Sequence, residues 1–225
     1  MRKTSWFAWS GGAVFVLSLA YCAWWYAFQL GIDAPFGGAG AIGWDAALVT
    51  LFACHHSLLA REPVKQQLRP ILGESLRSVY VWTASLLLIA VCLAWRRVGV
   101  TVFHAAGALA LVLTAVQLSG IGLIAWSVAR IDPLELAGIR RLPPTEGLQT
   151  GGPYRIVRHP LYNGWMLATF VTPHLTGDRL AFAALTSIYL VIAVPWEERS
   201  LRTAFGEAYA RYAVEVPWRV IPFIY

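Results

Sequence analysis

Several stretches of this chain contain no Asp, Glu, Lys or Arg, and their lengths constrain the fold more than any other feature. Residues 6–30, 78–95, 98–129, 161–177 and 180–196 are free of formal charge, and 41–60 carries only Asp45. An α-helix needs about 20 apolar residues to cross a hydrocarbon core of about 30 Å. The runs therefore predict an all-α integral membrane protein with five to six transmembrane helices. The last two would form a helical hairpin turning around 173–179. Composition agrees, because only 13% of the 225 residues are charged, against about 25% in soluble domains. One membrane-embedded domain is expected over 1–225, with four spans in 1–129 and a loop, hairpin and carboxy-terminal module in 130–225.

The first run follows Arg2 and Lys3, as a signal peptide would, but it outlasts the 7–15 residues of a signal core. It reads as a retained helix. Cys22, Cys54 and Cys92 lie inside apolar runs without CxxC spacing, so they are expected to pack as small hydrophobes rather than to form a disulfide or metal framework. The net charge of +6 raises the question of nucleic acid, and its distribution answers it. With the amino terminus inside, segments 1–5, 61–77, 130–160 and 197–225 are cytosolic and hold 2, 4, 5 and 4 Lys/Arg, 15 of the 18. Only Arg96, Arg97 and Arg179 fall elsewhere. That is the positive-inside pattern. It predicts both termini in the cytosol and a place in the bacterial inner membrane, with the lipid bilayer as partner and no nucleic acid.

The longest polar insert is 130–159, whose Pro-Pro and Gly-Gly pairs mark turns. Loops of that length are often functional. Downstream, Leu201, Phe205, Ala208 and Tyr212 recur at i, i+4, i+7 and i+11, which predicts an amphipathic helix lying in the interface or covering a pocket.

Four clusters carry possible chemistry. Glu197 and Glu198 end the sixth apolar run, where neighbouring carboxylates repel and are costly to bury. Simple solvation accounts for charges at a helix end, but a carboxylate pair at the cytosolic mouth also suits a cationic ligand. "GPYRIVRHPLYNGW" (152–165) opens the fifth run. Pro160 suits the first helical turn, while Arg158, His159, Tyr162 and Asn163 fall at the membrane border. Interfacial anchoring explains Arg and Tyr there and leaves the His and Asn unexplained. "SGIG" (119–122) permits close approach of a ligand or of another membrane helix. His55 and His56 in "CHHSLLAR" are successive on a helix, about 100° apart. They do not face one metal together, and no metal site is expected. His56 is the candidate pocket residue, with His55 packing.

Segment 152–165, the apolar hairpin, "EERSL", "FGEAYARY" and "VPWRVIP" together resemble the isoprenylcysteine carboxyl methyltransferase superfamily, which also includes phospholipid methyltransferases. "HHSLLAREPVK", "IDPLELAGIR" and "TPHLTGDRLAFA" extend the resemblance toward its methanethiol S-methyltransferase branch. Such a relationship implies a membrane enzyme using S-adenosyl-L-methionine, with 130–225 holding the cofactor-binding module. The family's RHP-x-Y element falls on Arg158, His159, Pro160 and Tyr162, its glutamate pair on Glu197 and Glu198, and the G-x-G of the phospholipid branch on Gly120 and Gly122. Tyr154 completes the implied donor-binding set. Two departures stand out. Pro133 interrupts "IDPLEL", and Trp218 occupies the place usual for Arg after Val-Pro, with Arg219 one position later.

The implied reaction explains why polar residues gather at that border. A polar cytosolic donor and a small or lipophilic acceptor arriving through the bilayer meet at the inner face. With a reference pKa of about 8.5, a thiol acceptor is only about 3% thiolate at pH 7, so a base or a cationic neighbour assists. His56 and Arg158 are the catalytic candidates. A carboxylate acceptor, as in isoprenylcysteine, is already ionised and needs only positioning. Two further readings compete: an NADPH-dependent sterol-type reductase, which is typically much longer, and a non-enzymatic membrane accessory protein retaining the fold.

Overall fold

The computed structural model describes residues 6–131, 133–139 and 148–225 and is predominantly helical, with one two-stranded sheet. Five helical stretches are long and apolar enough to span a membrane: Trp6–Gln29, Ala39–Leu59, Glu62–Ala94, Gly107–Val128 and Gly177–Phe205. The distribution of side chains suits lipid. Leu93, Leu111 and Ile192 are 71%, 74% and 61% exposed, whereas Ser18, Ser85 and Ser127 are buried. Bilayer lipid offers a polar group no hydrogen bonds, and these serines satisfy themselves on their own helices. Ser85 Oγ donates to Val81 O at 2.8 Å and Ser127 Oγ to Leu123 O at 2.7 Å.

The chain forms two compact units. The first, 1–100 with 133–142, contains α1 (Trp6–Trp24, extended by a π turn over Trp25–Gln29), α2 (Ala39–Ala60), α3 (Glu62–Leu72), α4 (Leu76–Ala94) and α6 (Pro133–Leu136). Here α4 packs on α1 and α2. Phe7 stacks on Trp82, whose indole N–H donates to Phe7 O at 3.1 Å. Asp45, the lone acid in its run, is fully buried and accepts from the Arg96 backbone N–H at 2.9 Å. Cys22 and Cys92 are buried as expected, but Cys54 is exposed. An apolar helix in a bilayer buries only the face turned to its neighbours, so an apolar run does not determine which cysteine lies inside.

The second unit, 101–132 with 143–225, contains β1 (Thr101–His104), α5 (Gly107–Val128), α7 (Pro160–Phe170), β2 (His174–Thr176), α8 (Gly177–Phe205) and α9 (Glu207–Glu215). The compact units thus divide at Val100/Thr101, which groups α5 with the carboxy-terminal elements. The fifth apolar run does not form a spanning helix. Its helix has 11 residues, about 16 Å at 1.5 Å per residue. Pro173 disfavours helix at Thr172, and the chain passes into β2, which pairs antiparallel with β1. The hairpin is therefore unequal, with a short α7 beside a 29-residue α8.

The expected amphipathic helix over 201–212 is two helices. Gly206, at φ 51°, ends α8 by donating its N–H to Arg202 O, and α9 starts after it. The apolar face continues across the break, with Tyr209 buried in place of the exposed Ala208. Tyr209 joins Tyr212 and Val216 in a buried cluster against Leu148, Tyr154, Leu201 and Phe205.

Candidate active site

The polar segment before α7 lies along the carboxy-terminal tail. The backbone N–H of Arg158 donates to Trp218 O at 2.9 Å and that of His159 to Arg219 O at 2.7 Å. Pro160 then opens α7 at a position whose missing N–H costs nothing. One turn on, Asn163 Nδ2 donates to Val220 O at 2.7 Å. Backbone and side chain together hold the RHP-x-Y element against residues 218–220.

Glu197 and Glu198 are neighbours on α8, so their side chains diverge by about 100°. That geometry separates their environments. Glu198 is 3% exposed. Its Oε1 accepts from Arg158 Nε at 2.7 Å, and Arg219 Nε lies 3.4 Å from its Oε2. Arg158 Nη1 donates to Val216 O at 2.7 Å and to Pro217 O at 2.9 Å, so this guanidinium also covers the carbonyls that follow α9. Glu197, by contrast, keeps 45% of its side chain exposed and accepts from Tyr162 Oη at 2.7 Å.

His159 sits between the two acids, with Nδ1 3.5 Å from Glu197 Oε2 and Nε2 3.6 Å from Glu198 Oε1. Its ring is buried and stacks on Tyr162, with ring centroids 5.3 Å apart. Tyr154 stands on the short 3₁₀ turn Gly152–Arg155, where its carbonyl accepts from Tyr212 Oη at 2.7 Å. Burial, aided by the charge of Glu197, pushes the Tyr154 phenol up to about 12. Burial and Glu198 likewise raise Tyr209 to about 12. Both phenols therefore keep their protons at neutral pH. The result is an enclosed ionic cluster with one accessible carboxylate on its rim.

The glycine pair serves packing. A Cβ on Gly120 would lie 2.7 Å from Ala168 N and 2.8 Å from Gly164 O, and one on Gly164 would lie 2.7 Å from Gly120 O. The two glycines let α5 and α7 approach at backbone distance. Gly122 faces open space. The structure thus brings together Tyr154, Arg158, His159, Pro160, Tyr162, Glu197 and Glu198, supports them through Gly120, and leaves Gly122 outside the group.

His56 belongs to the first unit. Tyr80 Oη lies 2.8 Å from its Nδ1, while His55 Nε2 meets Thr83 Oγ1 at 2.7 Å. The successive histidines take different partners, as their divergence requires. Among the described residues no group of three or more His, Cys, Asp or Glu comes together. Asp132 and Arg140 of "IDPLELAGIR" lie outside the described residues.

Sequence reasoning missed Gly164 and Tyr209. Gly164 had a readable signal as the one small residue in the first turns of the fifth run. Tyr209 had one too, since it stands four residues after Phe205 and three before Tyr212, on the face those residues mark.

No family model matches the chain, and no solved structure matches it. Among curated proteins it is 35% identical over 182 residues to a methanethiol S-methyltransferase of Pseudomonas deceptionensis, covering 76% of this chain and 70% of the relative. It is 34% identical over 203 residues to the methanethiol S-methyltransferase of Mycobacterium tuberculosis, covering 83% and 82%. Against protein-S-isoprenylcysteine O-methyltransferase B of Arabidopsis thaliana it is 38% identical over 80 residues, 34% of this chain and 40% of the relative. With five apolar spanning helices, a carboxylate–histidine–arginine cluster at the end of the last, and these relatives, the chain belongs to the isoprenylcysteine carboxyl methyltransferase superfamily, in the branch of the methanethiol S-methyltransferases, and is a membrane methyltransferase.

Proposed function

We propose that the protein transfers a methyl group from S-adenosyl-L-methionine to a thiol sulfur on a small or lipophilic molecule. The observation that carries this reading is the asymmetry of the glutamate pair. Glu198 is neutralised inside the unit, while Glu197 stays accessible, fixed by Tyr162 and flanked by His159. A preorganised carboxylate of this kind suits a cationic ligand. The donor set fits S-adenosyl-L-methionine in charge and polarity: Glu197 for the ammonium group or ribose hydroxyls, Tyr154 and Tyr162 as hydroxyl partners, and His159 holding Glu197 in place. Bound there, the donor supplies an electrophilic methyl group. The chain's own contribution is alignment and exclusion of water.

Arg158, expected from the sequence beside the reacting thiol, engages Nε and Nη1 within the protein. We assign it instead the positioning of Glu198. Gly120 acts at one remove, by bringing α5 onto α7 beneath the site. His56 is the proposed acceptor of the thiol proton, a role resting on imidazole chemistry. Its test is turnover, because His56→Ala should lower kcat more than donor affinity. The thiol acceptor itself rests on the relatives' printed names and on the three motifs shared with that branch. We also propose that both termini face the cytosol, from the 15-to-3 division of basic residues; α7 lies along α5 and β2 pairs with β1 ahead of α5, so segment 160–176 makes the sixth passage although its helix is short.

The deciding experiment is calorimetric titration of the detergent-solubilised protein with S-adenosylhomocysteine and, separately, NADPH. Binding of the first only is expected. Glu197→Gln and His159→Ala should each weaken it at least tenfold, about 1.4 kcal/mol. Unchanged affinity in both variants would remove the site assignment, and NADPH binding would favour a reductase.

A further inference from the structure

We propose that Arg130 binds the carboxylate of the methyl donor, with the Gly151–Gly152 turn as its seat; this rests on the donor reading above. S-Adenosyl-L-methionine carries a carboxylate as well as its cationic groups, and Glu197 addresses only the latter. Three arginines of the cluster and its helix are otherwise engaged. Arg158 and Arg219 are on Glu198, and Arg199 lies over the Trp196 ring at 4.8 Å.

Arg130 follows the end of α5 and makes no ion pair among the described residues. Its guanidinium is laid on a backbone built to receive it. Gly152 has φ 61°, and a Cβ there would lie 3.0 Å from Arg130 Nε, 3.2 Å from Nη2 and 3.4 Å from Cζ. At Gly151 the nearest atom to such a Cβ is Arg130 Nη1, at 3.9 Å. One edge of the group thus follows two side-chain-free residues. The planar fork, suited to bidentate carboxylate recognition, is held by the same turn that presents Tyr154. Three residues further on, the chain reaches Arg158 and His159. An arginine serving only as a border anchor needs neither a glycine in the left-handed region nor a second glycine beside it.

The test compares S-adenosylhomocysteine with its decarboxylated analogue, which keeps the amine, thioether and adenosine. Wild-type protein should prefer the carboxylate-bearing ligand at least tenfold. Arg130→Gln should erase that preference by weakening S-adenosylhomocysteine alone, and Arg130→Lys should retain part of it. Gly152→Ala, which crowds the guanidinium while leaving it present, should reproduce the loss. A preference unchanged in Arg130→Gln overturns the assignment, as does equal weakening of both ligands. Wild-type protein that binds neither ligand overturns the donor reading and this inference with it.

Discussion

Replacing Arg158 by Met should be among the most damaging single changes in the second unit. The substitution keeps an unbranched apolar stem and deletes the guanidinium. Glu198, 3% exposed, is left with Arg219 Nε at 3.4 Å and His159 Nε2 at 3.6 Å. The carbonyls of Val216 and Pro217 lose donors at 2.7 and 2.9 Å. Removing one partner of a buried ion pair costs about 3–5 kcal/mol, because the other charge remains buried. For a chain of this size that corresponds to a loss of about 6–20 °C in Tm. Glu198→Gln alone should also destabilise the protein, since it leaves Arg158 facing carbonyls. The double variant Arg158→Met/Glu198→Gln should be more stable than the sum of the two losses implies, by about 1–3 kcal/mol of coupling. Unfolding of the four proteins in one detergent completes the cycle. Losses that add to within about 0.5 kcal/mol would refute the claim that Arg158 acts through Glu198.

Other expectations are smaller or more local. Tyr162→Phe removes a bond to a half-exposed carboxylate, so it should leave Tm nearly unchanged while raising the S-adenosylhomocysteine Kd several-fold in calorimetry. Gly120→Val should prevent α5 from reaching α7 and abolish folded yield, whereas Gly122→Val, in open space, should behave as wild type in size-exclusion chromatography. Tyr154 titrates near 12 in the fold against 10 unperturbed. Its folded form therefore holds a proton that the unfolded form releases between those values. Tyr154 contributes stability below pH 10 that is lost as pH rises toward 12, and Tyr154→Phe should flatten the alkaline fall in Tm. In a cysteine-free background, an impermeant thiol reagent outside intact cells should label a cysteine at Gly38 and miss one at Glu207. The reverse would overturn the orientation.

Much of the fold is legible in the sequence, because charge-free runs in a bilayer leave little alternative to helices. The length of α7 is not. Hydropathy counts 161–177 as one apolar run, yet the proline at 173 and the pairing of β2 with β1 end the helix at Phe170. Periodicity marks the buried face of 201–212 but not the break at Gly206, where a left-handed residue divides the helix in two. Of the site, the residue types and their border location are readable, since such groups are expensive in an apolar run. The division of labour is not. That Glu198 is enclosed and Glu197 accessible follows from the rotation of α8 against the tail, a three-dimensional fact. Likewise, Trp218 in the expected arginine position reads as a departure until Arg219, one residue on, is found beside Glu198.

Methyl transfer itself tests the account most directly. Purified protein should be given S-adenosyl-L-methionine labelled in its methyl group, together with methanethiol, a longer alkyl thiol or a prenylcysteine. Label should appear as thioether from at least one thiol, at a rate that rises with pH as the thiol ionises toward its pKa of about 8.5, and should be absent with Glu197→Gln. Label found only as a carboxyl methyl ester would contradict the thiol acceptor, and label in no product would contradict the enzyme.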